Sequence, residues 1–159
     1  MFLKILAVVL LAACCGYAAA VDLPIVRGEC AAAEILARFE PYQANYTAYT
    51  PDIETLTAIG ALPEDLEVVV VFGTWCSDSL DHVPRFIKII EALKLPAERI
   101  RYIGVDRTKQ DPDGLTDGLH IERVPTFIFL MDGMETGRII ETPNDPPEKD
   151  IRSILHPAS

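Results

Sequence analysis

One residue is placed for covalent chemistry: Cys76, in the run Trp75-Cys76-Ser77-Asp78-Ser79. It follows an apolar stretch and opens a helical pattern. The nucleophile of sulfur chemistry is the thiolate, not the thiol. A cysteine at a helix start meets unpaired backbone N–H groups and the positive end of the helix dipole, and both favour the anion. Asp78 opposes this, because a nearby carboxylate disfavours a second negative charge. Ser77 and Ser79 add hydroxyl donors within one turn. The pattern points to a nucleophilic thiol. A buried, inert cysteine is the other reading of the same residue.

Three further cysteines remain: Cys14, Cys15 and Cys30. The first two lie in an N-terminal stretch unlike the rest of the chain. Lys4 supplies a positive charge, Ile5–Ala13 is an apolar run too short to span a bilayer, and Ala18-Ala19-Ala20 offers small residues for cleavage. This is the form of a secretory signal over residues 1–20. Cleavage after Ala20 fits it, and so does a bacterial lipobox, Leu11-Ala12-Ala13-Cys14, that would leave Cys14 lipidated. Export implies a setting that permits disulfides, so Cys30 is a candidate resolving thiol for Cys76. It is equally readable as a small apolar residue on an Ala-rich helix. The cysteine spacing is no zinc motif, and no metal or other cofactor is expected. His82 lies four residues after Asp78, so the two can meet on one helical face. Asn45-Tyr46-Thr47 fits a glycosylation acceptor, a triplet common by chance.

The bulk properties narrow the partners. The chain has 159 residues, half of them hydrophobic, which suits one domain with a real core. Its formal net charge of −10 excludes the basic patch that a nucleic-acid partner or a polybasic membrane contact requires. A monomer is expected.

The elements that must position Cys76 are readable from periodicity. Glu29–Phe39 reads as a helix ended by Pro41, with Tyr42, Tyr46 and Tyr49 in an irregular stretch after it. Thr50-Pro51-Asp52 reads as a second helix start. Val68–Phe72 is a continuous β-branched and apolar run, as in a central strand covered on both faces. A helix from about Ser77 to Leu93 follows, with Leu80, Val83, Ile87 and Ile90 inward and Pro84 removing one backbone donor. Ile100–Val105 is the next strand, and Thr116–Ile121 a short helix. Thr126–Leu130 and Gly137–Glu141 flank an Asp132-Gly133 hairpin turn. A last helix opens after Pro147. The order implies an α/β fold with a mixed central sheet and helices on both faces.

This order, with Trp75-Cys76-Ser77-Asp78-Ser79 at its centre, resembles the thioredoxin superfamily. An apolar strand runs into Trp-Cys, the cysteine opens a helix, and Pro84 sits five residues beyond Ser79. Val124-Pro125-Thr126 matches the loop that carries a cis proline facing the thiol, and Asp132-Gly133 matches the hairpin turn. The resemblance covers Glu67 to Leu155. It divides the chain into a signal (1–20), an N-terminal helical extension (21–66) and a thioredoxin-like domain (67–159). Two departures stand out. Ser79 replaces the second cysteine of the family's Cys-x-x-Cys pair, and Val70 stands where the family often carries a buried acid.

The resemblance implies thiol–disulfide exchange on protein disulfides or glutathionylated thiols, run by one thiol. Cys76 would be the nucleophile and Ser79 a hydrogen-bond donor to it. Trp75 would cover one side of the site, and Val124 with Pro125 would hold an extended substrate. A redox-inactive binding module and a Cys30–Cys76 structural or switching bridge are the alternatives. The signal implies a periplasmic protein, or one lipid-anchored to a bacterial membrane.

Overall fold

The computed structural model describes residues 23–144 and 146–157. The signal and lipobox residues, Cys14 included, lie outside them. In chain order the elements are β1 (Gly28–Cys30), α1 (Ala32–Arg38), α2 (Glu40–Ala48), α3 (Ile53–Ile59), β2 (Leu66–Phe72), α4 (Ser77–Leu93), β3 (Ile100–Gly104), β4 (Thr126–Met131), β5 (Met134–Ile140) and α5 (Glu148–Leu155). The five strands form one mixed sheet in the order β1-β3-β2-β4-β5. β2 is central, parallel to β3 and antiparallel to β4. The fold is thioredoxin-like.

The sheet separates two apolar clusters, as alternation along a doubly covered strand requires. Val68, Val70 and Phe72 face the larger one, with Phe86, Ile87 and Ile90 of α4 and Phe127 and Phe129 of β4. Val69 and Val71 face the smaller one, with Ile103, Val105, Val124 and Ile128. The N-terminal segment belongs to this core. Ile35, Phe39, Tyr42 and Ile59 join the larger cluster, and Gly28–Cys30 pairs antiparallel with β3 as an edge strand.

Several local expectations differ from the structure. Glu29 and Cys30 belong to β1, so Cys30 is not on the Ala-rich helix, and Tyr42 and Tyr46 lie within α2 rather than in an irregular stretch. Pro41 does not end a helix; it occupies the first turn of α2, where its missing N–H has no partner to lose. Thr116–Ile121 is a set of turns rather than a helix. The Asp111 carboxylate accepts from Asp113 N, Leu115 N, Thr116 N and the Thr116 hydroxyl. Gly118 (φ 77°) and His120 (φ 52°) both take left-handed backbone, which breaks a right-handed helix there.

Pro84 explains how α2 is fixed on α4. Lacking an N–H, it leaves the carbonyl of Leu80 without its helical partner. Asn45 Nδ2 of α2 donates to that oxygen at 2.8 Å. Lys88, one turn on, donates to the carbonyls of Tyr46, Thr47 and Tyr49 at the end of α2. The Asn45→Ala variant strands a part-buried carbonyl. It is expected to cost about 1–2 kcal/mol in denaturant unfolding, and a sugar on the same nitrogen would displace the same bond.

A second stitch joins α2, α3 and α5. Glu148, wholly buried in the first turn of α5, accepts from the Tyr49 hydroxyl at 3.0 and 2.9 Å and from Asp52 N at 3.0 Å.

Candidate active site

Cys76 is the N-cap of α4. Its position follows from the chain on either side: β2 ends at Phe72, a four-residue turn closes with Cys76 N donating to the Gly73 carbonyl, and the amphipathic pattern starts the helix at Ser77. The thiol is half-buried and donates from Sγ to the Val124 carbonyl at 3.2 Å. The Val124–Pro125 bond is cis. Both residues are buried, so Cys76, Val124 and Pro125 come together as the resemblance implies.

Trp75 forms one wall. Its indole N–H donates to the Val105 carbonyl at 2.9 Å, and the Arg107 guanidinium lies 5.3 Å above its ring. Gly73 is what allows this, since a Cβ there would lie 2.6 Å from the indole. Thr74 is buried and holds the incoming chain, donating to the Pro24 carbonyl at 2.8 Å and accepting from Val26 N at 3.2 Å. A cavity of about 230 Å³ opens beside the thiol, lined by Trp75, Val124, Lys109, Glu122, Arg123 and Glu141. Arg123 and Glu141 pair across it at 2.5 Å.

Ser79 lies beneath, fully buried. Its oxygen accepts from Gly73 N at 3.2 Å, so it locks the end of β2 to the first turn of α4. Its own hydroxyl hydrogen remains to be donated. His82 does not meet Asp78. Its Nδ1 is 3.7 Å from Asp81, whose carboxylate is held by Arg85 at 2.6 Å, and burial lowers its pKa. Among the described residues no group of three or more His, Cys, Asp and Glu side chains is placed to hold a metal.

Cys30 is not brought to Cys76, and both are free thiols. Cys30 lies opposite Tyr102 of β3, which lies opposite Val70 of β2. Two strand spacings of about 4.8 Å set it about 10 Å from β2, and Cys76 lies beyond the end of that strand. A disulfide needs Cα atoms about 4.4–6.8 Å apart. The two sulfurs also pack against different clusters, Cys30 with the larger and Cys76 with the smaller. Cys30 Sγ lies 3.9 Å from the Tyr102 carbonyl. Burial, then Glu34 and Glu29 nearby, raise its pKa from 9.0 to about 11. That cuts its thiolate fraction about a hundredfold. At pH 7.5 an alkylating reagent is expected to modify Cys30 about a hundred times more slowly than an ordinary thiol, with the rate climbing until the pH approaches 11. Site-resolved mass spectrometry of a labelling time course measures this directly.

Sequence reasoning missed Tyr42. It is fully buried in α2, its ring is edge-on to Phe72 with centroids 6.5 Å apart, and its hydroxyl has no hydrogen-bond partner. Pro41 read as a helix start rather than a stop would have placed Tyr42 in the first turn of a packed helix.

No protein-family model and no curated protein matches the chain. Solved structures do. A Pseudomonas aeruginosa protein of unknown function is 16% identical with a TM-score of 0.52, the match covering 82% of this chain and 88% of that one. Oxidised mitochondrial thioredoxin 3 from Saccharomyces cerevisiae is 26% identical with a TM-score of 0.42, over 69% of this chain and 98% of that one. A yeast mitochondrial 1-Cys peroxiredoxin structure, described for thiol resolution through the glutathione and thioredoxin systems, is 27% identical with a TM-score of 0.43, over 68% and 97%. The likeness is one of fold.

Proposed function

We propose that this chain is a monothiol thiol–disulfide exchange protein with Cys76 as its nucleophile. The observation that carries the reading is the contact between Cys76 Sγ, half-exposed at the N-terminus of α4, and the carbonyl of Val124 beside an open cavity. The Cys76 thiolate attacks one sulfur of a substrate disulfide. A Cys76–substrate disulfide forms, the original S–S bond breaks, and the departing thiolate takes a proton from water. Ser79 cannot resolve that intermediate. On a glutathionylated thiol, Cys76 takes the glutathione and releases the substrate thiol. A second thiol, of the small soluble class, then attacks the glutathione sulfur, frees Cys76 and leaves as the small-thiol disulfide. On a protein disulfide that attack frees Cys76 with the small thiol joined to the substrate, and a further equivalent completes the reduction. Trp75 covers the reacting sulfurs. The backbone at Val124 and Pro125 lies where an extended substrate can lie across the thiol. The substrates are protein disulfides and glutathionylated protein thiols. The secretion signal read over residues 1–20 goes with an exported protein, periplasmic or anchored through Cys14.

The fully buried Ser79 and the lack, among the described residues, of a second thiol near Cys76 favour one other reading, a binding module that uses the same groove without exchange. Incubation of the reduced protein with a glutathionylated peptide separates the two. Exchange leaves a mass increase of one glutathione on the Cys76 peptide and frees the peptide thiol. A chain that binds the peptide and shows neither product is the module.

A further inference from the structure

We infer that Thr74 is a positioning residue for Cys76: its buried hydroxyl ties the N-terminal arm, residues 24–26, to the turn that carries the thiol, and so fixes the place of the sulfur against Val124. This rests on Cys76 acting as the nucleophile. Residues 73–76 lead from β2 into α4, and each of them is pinned. Gly73 N donates to Ser79 Oγ at 3.2 Å, the Trp75 indole to the Val105 carbonyl at 2.9 Å, and Cys76 N to the Gly73 carbonyl at 2.9 Å. Those three bonds end on the turn itself, on α4 or just past β3. The fourth pin reaches ahead of the stretch that resembles thioredoxin. The Thr74 hydroxyl donates to the Pro24 carbonyl at 2.8 Å and accepts from Val26 N at 3.2 Å.

Thr74 is 3% exposed, and a valine would fill the same space. A hydroxyl in that place costs free energy unless it is hydrogen-bonded. Here it serves as donor and acceptor at once, and the two backbone groups it satisfies lie ahead of β1, outside the sheet ladder. Close packing holds the arm from its other side. Gly104 ends β3 there, and a Cβ on it would lie 2.6 Å from the Val26 carbonyl. Leu23 and Val26 pack against the larger cluster. The arm is therefore a fixed support, and Thr74 fixes the turn to it. What this sets is the register between Cys76 on the turn and Val124 on the loop before β4, with Sγ and the carbonyl 3.2 Å apart. An extended substrate uses both at once, its backbone along Val124 and its sulfur at Cys76, so its rate depends on that register. A small alkylating reagent uses the thiol alone.

The test compares two rates at Cys76 in the full chain, each measured below the melting temperature of the variant: release of the thiol from a glutathionylated peptide, and alkylation by iodoacetamide. Thr74→Val keeps the shape and removes the tether. It is expected to slow the peptide reaction about tenfold while alkylation stays within about twofold of wild type. Thr74→Ser keeps the hydroxyl and should bring the peptide reaction back to within about twofold of wild type. A ratio of the two rates that is the same in Thr74→Val and wild type would overturn the role for Thr74 and leave Cys76 as the nucleophile. Amide hydrogen exchange reads the tether in wild type without any substitution. The Val26 N–H is expected to exchange about a hundredfold more slowly than an unstructured amide, and exchange at the unstructured rate would overturn the tether. A wild type that releases no peptide thiol, with its Val26 amide still protected, would overturn the exchange reading itself.

Discussion

Cys76→Ser is expected to remove mixed-disulfide formation altogether, lowering the exchange rate by roughly a thousandfold or more, since a serine hydroxyl ionises too weakly to replace a thiolate. The measurement is release of the peptide thiol from a glutathionylated peptide, with the mass of the protein followed in parallel. The variant cannot fail by misfolding. Cys76 occupies the N-cap of α4 and makes no side-chain cap bond there, whereas serine is a preferred N-cap and contributes about 0.5–1 kcal/mol by binding a backbone N–H of the first turn. The inactive variant should therefore melt at or above the wild-type temperature. Cys30→Ser is the control. Its thiol sits in the edge strand, against the other cluster from Cys76, so exchange should proceed at the wild-type rate. A loss of exchange in Cys30→Ser would mean that the edge strand moves toward the site during turnover.

The single thiol also fixes what accumulates. With Ser79 three residues on and Cys30 set apart, no thiol among the described residues clears the mixed disulfide, so on this reading its lifetime follows the concentration of external thiol. A dithiol protein would clear it at a rate independent of that concentration. If the chain is a binding module instead, Cys76→Ser binds its partner as wild type does.

Much of the site's frame was legible because short-range rules govern it. The helix over Ser77–Leu93 follows from its apolar stripe, and the Asp132-Gly133 turn from two residues that tolerate positive φ, which both adopt. β2 is a run of valines that could be little else. What stayed hidden depends on contacts far along the chain. Gly28–Cys30 is three residues long and carries no alternation; it is a strand because β3 offers it an edge. Asn45 reads as a surface residue until Pro84 frees a carbonyl for it. Thr74 beside the site and Tyr42 in the larger cluster are polar residues that only packing shows to be buried. Cys30 was a candidate partner for Cys76 on chemistry alone. Sheet order, which no local pattern encodes, sets them apart.

Glu148 presents the largest structural gap between sequence and structure, and its substitution the largest expected loss of stability. An acid in the first turn of α5 reads as a solvated residue favoured by the helix dipole. Instead it is sealed from solvent and receives the Tyr49 hydroxyl from the end of α2 and the Asp52 N–H from the start of α3. Asp52 is itself the N-cap of α3, its carboxylate accepting from Thr55 N at 2.6 Å, so the Glu148 contact fixes both ends of the loop between α2 and α3. Glu148→Ala removes the acceptor, leaves a cavity and leaves the Asp52 N–H without it. The expected cost is about 3 kcal/mol, a fall in melting temperature of about 6–12 °C for a chain of this size. Glu148→Gln keeps the volume and one acceptor oxygen and should lose about half as much. Below its melting temperature Glu148→Ala should still exchange through Cys76, because the stitch lies away from the thiol. Equal melting of Glu148→Ala and wild type would mean that the three elements hold together by apolar packing alone.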